Sequence, residues 1–510
     1  MTTSDRERPG RAWPALVVSA LVTLASFAAR DADATSIDLV VVDANCDAQF
    51  VSAAHLLAAA DSAVVATVDL HDRDALAVTL REHEPHDVVF MVEPRRLDLD
   101  LTHRVIELST LVDSDPFPDF AHGFVTGLDG AAARRFVQSM LAARDAQRGR
   151  RLGVLGVSEG ATPAPRPLGA ELARACGFSF AFEGLPGVDA SARRRRDALE
   201  RLSRSDLLML FSHGEPDRMV GAFRGEELRS WSIDLDGRVV VNCACFNGSM
   251  CTATLPGVGG LERRETAPES TVALALLDTG VSAYVAGMDA WHGPLAVQVT
   301  LELSDTGATL GAAARLPIDR LVMTQLDRPL RFPAQDAADA RFSAEPGAYA
   351  RGNAAGGVLF GDPSFAPFSD AAPRSFRATL DSDSAKPTVR IELEPLVDAI
   401  GGYESLLLLP RILAYFEPLP SPPTSLPLEL YRVVDWPADA PRRNAWRVAS
   451  ATTGDTEVDC GEVLTAYEET PRGPRLHVVV PLANQTGIAA FQLRDRLARF
   501  GAAIVLEPDG

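Results

Sequence analysis

Cysteine is scarce in this chain, positive charge is outweighed, and no long hydrophobic run occurs after the first thirty residues or so. Each shortage excludes something. Six cysteines among 510 residues are too few for disulfides to hold the fold together. Three of them, Cys243, Cys245 and Cys251, lie close together. They form no Cys-x-x-Cys pair and have no histidine at ligand spacing, so a structural zinc site is not expected. Lysine and arginine total 49 against 69 aspartates and glutamates, a formal net charge of −20. Such a surface repels phosphate backbones, and no basic stripe with interleaved aromatics offsets it, so no nucleic-acid partner is expected. What is present is ordinary globular material: 46% hydrophobic and 23% charged residues. The length exceeds one core and predicts two or three domains.

The N-terminus carries Arg6, Arg8 and Arg11 ahead of an apolar run over residues 15–29. Ala32 and Ala34 then offer a small-residue cleavage site. Residues 1–34 therefore read as a signal peptide, and the mature protein is expected to be secreted or extracytoplasmic, with no integral membrane domain. A buried first helix starting near Pro14 would look similar and would leave the protein cytoplasmic; Asp5 and Glu7 dilute the positive charge.

From Ser36 onward, short β-branched runs alternate with amphipathic stretches. Residues 37–42, 64–70 and 87–92 read as strands, and 51–63 and 73–84 as helices. This alternation predicts an α/β fold, a mainly parallel sheet flanked by helices. Pro116 and Pro118 exclude a helix from residues 113–127, which read as a loop. A helix over 130–146 and a strand over 152–157 follow. Residues 206–211 and 238–243 are continuous apolar runs, the pattern of central strands buried on both faces. Beyond residues 371–377 the period changes: Val389, Ile391 and Leu393 alternate with charged residues. Further short runs, including 406–416, are divided by proline-rich turns, and a helix is expected at 492–500. The expected division is 35–150 and 151–370 as two subdomains of one α/β unit, with 371–510 as a C-terminal, mostly β domain.

Two side chains at strand ends carry the chemistry. His213 follows the first central strand and Cys245 the second, 32 positions later, with a helix expected at 225–231 between them. Ligands gather at the carboxyl ends of parallel strands. A histidine alone there is usually structural, and a cysteine in a strand is usually inert core. Together, on neighbouring strands, they form a nucleophile and its acid–base partner. Gly214 permits close backbone approach, and its N–H with that of Cys245 is a candidate oxyanion hole. Strand alternation puts Cys243 and Cys245 on the same side, so periodicity does not choose between them.

These residues resemble the caspase-like cysteine peptidases, which have an apolar strand ending in His-Gly and another ending in Ala-Cys. The run Ala244-Cys245-Phe246-Asn247-Gly248 is most similar to the gingipain type and to its CHAT-domain relatives. Asp115-Pro-Phe-Pro-Asp-Phe-Ala-His-Gly123 resembles that type's Pro-Asp-x-Ala-x-Gly-Arg motif, with Phe124 in place of the arginine. Leu359-Phe-Gly-Asp-Pro363 resembles its closing motif. The resemblance implies a caspase-like fold over about residues 36–368 and a cysteine endopeptidase acting through a thioester acyl-enzyme. It makes Cys245 rather than Cys243 the nucleophile. The implied partner is a protein or peptide substrate, and no cofactor is required. Trp291 stands in order where a pocket-wall tryptophan is found, and core packing is its other role. Asp289 and Asp217 are the nearest carboxylates for a cationic S1 pocket, and either also suits a solvated loop. Glu159 is a candidate to orient His213, or an ordinary loop acid. Arg193–Arg196 is an autocleavage sequence or the solvated face of a helix. Phe124, and the absence of an identified S1 carboxylate, keep an alternative open: a catalytically silent scaffold or partner-binding module.

Overall fold

The computed structural model describes residues 36–146, 148–157, 166, 169–170, 172–173, 176–187, 190–257, 260–289, 296, 299–300, 302–303, 308–325, 330, 332, 355–368, 376–381, 388–393, 427–436, 446–453, 456–470, 473–486 and 502–508. The expected signal peptide, strand 406–416 and helix 492–500 lie outside these residues. Among the described residues no helix is long and apolar enough to cross a membrane.

The chain begins β1 (Leu39–Asp43), α1 (Ala48–Asp61), β2 (Val64–Val68), α2 (Arg73–His83), β3 (Asp87–Met91), α3 (Leu99–Ser109), β4 (Ala121–Val125) and α4 (Gly130–Arg144). Each of these four helices starts at an aspartate. The carboxylates of Asp47, Asp72, Asp98 and Asp129 accept N–H groups of the first turn, which no intrahelical carbonyl can satisfy. Next come β5 (Arg151–Val157), β6 (Ser179–Leu185), α5 (Ala192–Leu202), β7 (Leu207–Phe211), β8 (Gly214–Glu215), β9 (Arg218–Met219), β10 (Phe223–Arg224), α6 (Gly225–Trp231) and β11 (Val239–Asn242). A hairpin of β12 (Thr252–Gly257) and β13 (Gly260–Glu265) follows, then α7 (Val272–Leu277), β14 (Ala283–Gly287), α8 (Leu310–Gln325) and β15 (Gly357–Gly361).

Ten of these strands form one sheet in the order β2-β1-β3-β4-β15-β14-β11-β7-β5-β6. The strands from β2 to β4 pair in parallel, as do those from β14 to β6, and β15 runs antiparallel to β14. The result is the mainly parallel, helix-flanked α/β sheet that the alternating pattern predicts. Side chains alternate across it. Leu208, Leu210, Val240 and Tyr284 share a core with Leu228 of α6 and Leu274 of α7. Leu207, Met209, Val239, Val241 and Val285 pack instead with Leu172, Leu303 and Leu310.

Residues 113–120 are the expected loop, but Ala121–Val125 correct the sequence expectation. The prolines do exclude a helix, but they precede a strand: β4 pairs with β3 along its whole length and meets β15 at Phe124 and Phe360. Gly123 weakens the strand signal, yet the seam needs it, because a Cβ there would sit 2.2 Å from the Gly361 carbonyl oxygen. Phe124, where the resembled motif has arginine, is fully buried with its ring 5.6 Å from that of Phe90. Across the same seam Arg144 bridges Asp61 at the end of α1 and Asp362 beyond β15.

The C-terminal strands are β16 (Phe376–Asp381), β17 (Thr388–Leu393), β18 (Pro427–Asp435), β19 (Trp446–Thr453), β20 (Thr456–Glu457), β21 (Leu464–Glu468), β22 (Arg475–Thr486) and β23 (Ala502–Pro508). They form antiparallel sheets β16-β17-β23-β19-β20 and β18-β22-β21. Val389, Ile391, Ile504 and Leu506 of the first share a core with Val434, Val478 and Val480 of the second, as in a β-sandwich. This region also docks on the α/β part. Val433, Ala466 and Val479 join Phe117 and, on α8, Leu316 and Leu321 in one apolar cluster. At its centre Arg315, its side chain 10% exposed, donates to Asp319 at 3.1 Å, to Glu468 at 2.8 Å and to the Pro118 carbonyl at 2.6 Å. His477 bonds Glu468 at 2.8 Å, and its ring stacks on Phe117 at 3.7 Å.

Candidate active site

β7 and β11 are neighbours, paired in parallel from Leu207↔Val239 to Leu210↔Asn242. The segments that follow them therefore leave the same edge of the sheet. After Phe211 the chain makes a small meander, β8-β9-β10. The Ser212 hydroxyl donates to the Val220 carbonyl, and the Val220 N–H donates to the His213 carbonyl at 2.9 Å. His213 is exposed at the start of this meander.

After Asn242 the chain turns sharply. The Ala244 N–H donates to Asn242 Oδ1 at 2.9 Å, and Phe246 takes a left-handed φ of 59°. Non-glycine residues rarely adopt that conformation, so the surroundings must hold it. They do: the Phe246 N–H donates to the Asp289 carbonyl at 3.0 Å and the Gly248 N–H to the Gly287 carbonyl at 2.7 Å. The turn is thus tied to the end of β14, with Cys245 half-buried at its apex. The two segments touch at Gly214, where a Cβ would lie 2.2 Å from the Cys245 carbonyl oxygen and 2.9 Å from the Ala244 Cβ.

The expected alternation of Cys243 and Cys245 stops at Asn242, where the strand ends. Cys243 keeps the strand's phase and packs with Val239 and Val241. Burial pushes its thiol well above the ordinary range. Burial also raises Cys46 to about 12 and Cys251 to about 11. A consequence is testable: Cys243→Ser should leave iodoacetamide labelling of the native protein unchanged at neutral pH, read by peptide mass mapping, whereas a label on Cys243 would refute its burial.

Asp289 is buried, and its backbone holds the Cys245 turn. Asp217 lies 3.5 Å from Arg264 of β13. Glu159 and Trp291 lie outside the described residues. The arginine run forms the outer face of α5. Arg193 is 92% exposed, Arg193 and Arg196 pair with Asp197 and Glu200 one turn on, and Arg195 reaches Glu227 at 2.7 Å. Among the described residues no group of three or more His, Cys, Asp or Glu is placed to hold a metal ion. A cavity of 390 Å³ is lined by Asp113, Asp119, Arg315, Glu468 and Arg475 among others, and none of its lining comes from the His213 or Cys245 segments.

Sequence reasoning missed the buried amides beneath the site. Asn242 Nδ2 donates to Asn247 Oδ1 at 3.1 Å and to the Tyr284 hydroxyl at 2.8 Å. The signal was available, since an asparagine closing the run Val-Val-Val-Asn must find hydrogen-bond partners if buried.

No protein-family model matches the chain, and no curated protein matches it. Among solved structures it is similar to the complex of the pro- and mature domains of Porphyromonas gingivalis RgpB, at 12% identity and a TM-score of 0.45, over 89% of this chain and 94% of that one. It is similar to the Arg-specific cysteine proteinase gingipain R at 11% identity and a TM-score of 0.43, over 90% and 93%. It is also similar to a chain described only as a protease, at 9% identity and a TM-score of 0.44, over 87% and 91%.

Proposed function

We propose that the protein is a cysteine endopeptidase with Cys245 as nucleophile and His213 as its acid–base partner. One observation carries this reading: adjacent parallel strands deliver both residues to one sheet edge, with the Gly214 backbone against Cys245. The Cys245 thiolate attacks the scissile carbonyl carbon. The C–N bond breaks as the His213 imidazolium protonates the leaving amine, and a thioester remains. Water, deprotonated by His213, then attacks the thioester and releases the acid and the thiol. The N–H groups of Gly214 and Cys245 stabilise the oxyanion, each donor contributing roughly 2.7–4 kcal/mol. These steps need no cofactor. The substrate is a protein or peptide; Asp289 and Trp291 are proposed for the S1 pocket, and Glu159 to orient His213. The apolar segment at residues 15–29 supports action outside the cytoplasm.

A peptide-library cleavage profile tests this reading and reports the P1 preference. Turnover is expected. A folded protein that cleaves no library peptide would overturn the proposal and leave the scaffold in its place. Gly214→Ala offers a sharper check. The new Cβ forces the two segments apart, so kcat/KM should fall at least about 10²-fold while far-UV circular dichroism stays unchanged. Wild-type turnover in that variant would detach Gly214 from the site.

A further inference from the structure

We infer that Asn247 is a positioning residue that locks the His213 segment onto the Cys245 turn; the inference rests on the Cys245–His213 reading above. Asn247 is fully buried, two residues after the nucleophile. Its Nδ2 donates to two carbonyls of the other segment, Glu215 at 2.5 Å and Arg218 at 3.0 Å. Those residues face each other across the β8–β9 turn that begins at Gly214. Both amide hydrogens are therefore spent on holding the histidine segment. The carbonyl side holds the cysteine turn: Oδ1 accepts from Asn242, and the Tyr284 hydroxyl donates to the Asn247 main-chain oxygen at 3.1 Å.

The geometry demands an amide. A carboxylate at 247 would face the Glu215 and Arg218 carbonyls with no hydrogen to offer, and an apolar side chain would leave both unpaired in a buried place. Gly214 fits the same clamp, since a Cβ there would lie 2.9 Å from Asn247 Nδ2. From outside, Glu215 pairs with Arg218 and with Arg264 of β13, so the turn is held on two sides. A clamp of this kind acts through the distance between imidazole and thiol. It should therefore move the thiol's titration and kcat more than substrate affinity.

The test is the rate of Cys245 alkylation by iodoacetamide between pH 5 and 10 in the full chain, alongside kcat and KM on a cleaved peptide. Wild-type labelling should titrate below the free-thiol value of about 8.5, and His213→Ala should restore that value. Asn247→Ser, too short to reach both carbonyls, should move the midpoint about one pH unit toward His213→Ala and lower kcat about tenfold or more with KM little changed. Tyr284→Phe, which removes the hydroxyl but keeps the ring, should shift the midpoint the same way by less, and serves if Asn247→Ser does not fold. Wild-type profiles in folded Asn247→Ser, or in Tyr284→Phe if it alone folds, would overturn the clamp while leaving the dyad standing. Identical wild-type and His213→Ala profiles would overturn the dyad, and the clamp with it.

Discussion

Replacing Cys245 by alanine should lower peptide hydrolysis at least about 10⁴-fold, with little change in melting temperature. The size of the effect follows from what remains. Without a nucleophile no thioester forms, and only oxyanion stabilisation and substrate binding accelerate attack by water. Little stability is at stake because Cys245 is only half-buried at a turn apex and the substitution removes a single sulfur. His213→Ala should fall in the same range, and the double variant no further than the weaker single, since the two act as one unit. The assay is initial-rate hydrolysis of the best library peptide, with circular dichroism as the folding control. An active Cys245→Ala protein would remove the nucleophile assignment, and Cys243, buried and held protonated, could not inherit it.

Arg315→Met should destabilise the protein by roughly 3–5 kcal/mol at neutral pH, the second large effect. The side chain sits between Asp319 and Glu468, each almost without solvent exposure. Removing the cation takes from both buried carboxylates their strongest counter-charge, leaving Glu468 with His477 and Arg475. Burial pushes Glu468 upward, but Arg315 and His477 outweigh it and hold the carboxyl at about 2, against an ordinary 4.5. The folded value lies below the unfolded one. Glu468 therefore contributes its full stabilisation above about pH 4.5 and loses it as the pH falls toward 2. The gap between wild type and Arg315→Met should be widest at pH 7 and narrow through that window, as urea melts at pH 7, 5 and 3 would show. A gap that does not change with pH would mean that Arg315 acts through packing alone.

Much of the α/β half was legible because its signals are local. The runs 207–211 and 239–242 are apolar on both faces, which is what a central parallel strand requires. Histidine and cysteine at their ends needed only that these strands be neighbours. Residues 121–125 were misread because Pro116 and Pro118 bear only on the irregular stretch before them, whereas Gly123 is there to let β4 approach Gly361. In the C-terminal region the period of two at Val389, Ile391 and Leu393 was enough to predict strands.

By itself, then, the sequence determined the α/β pattern, the β-rich C-terminal part and the two residues that would meet if β7 and β11 paired. Periodicity left Cys243 and Cys245 equal and the resemblance favoured Cys245; the tertiary structure adds the difference in their burial. The strand ends at Asn242, and bonds to Gly287 and Asp289, some forty residues on, bend the chain so that Cys243 stays in the core while Cys245 leaves it. It alone decided how the β-sandwich docks, because Arg315 and Glu468 meet across 153 residues. It alone revealed the amide clamp, because Asn247 bonds carbonyls 32 and 29 positions earlier. Periodicity reports which face of an element is apolar; it carries no information about which distant backbone group a buried polar atom will find.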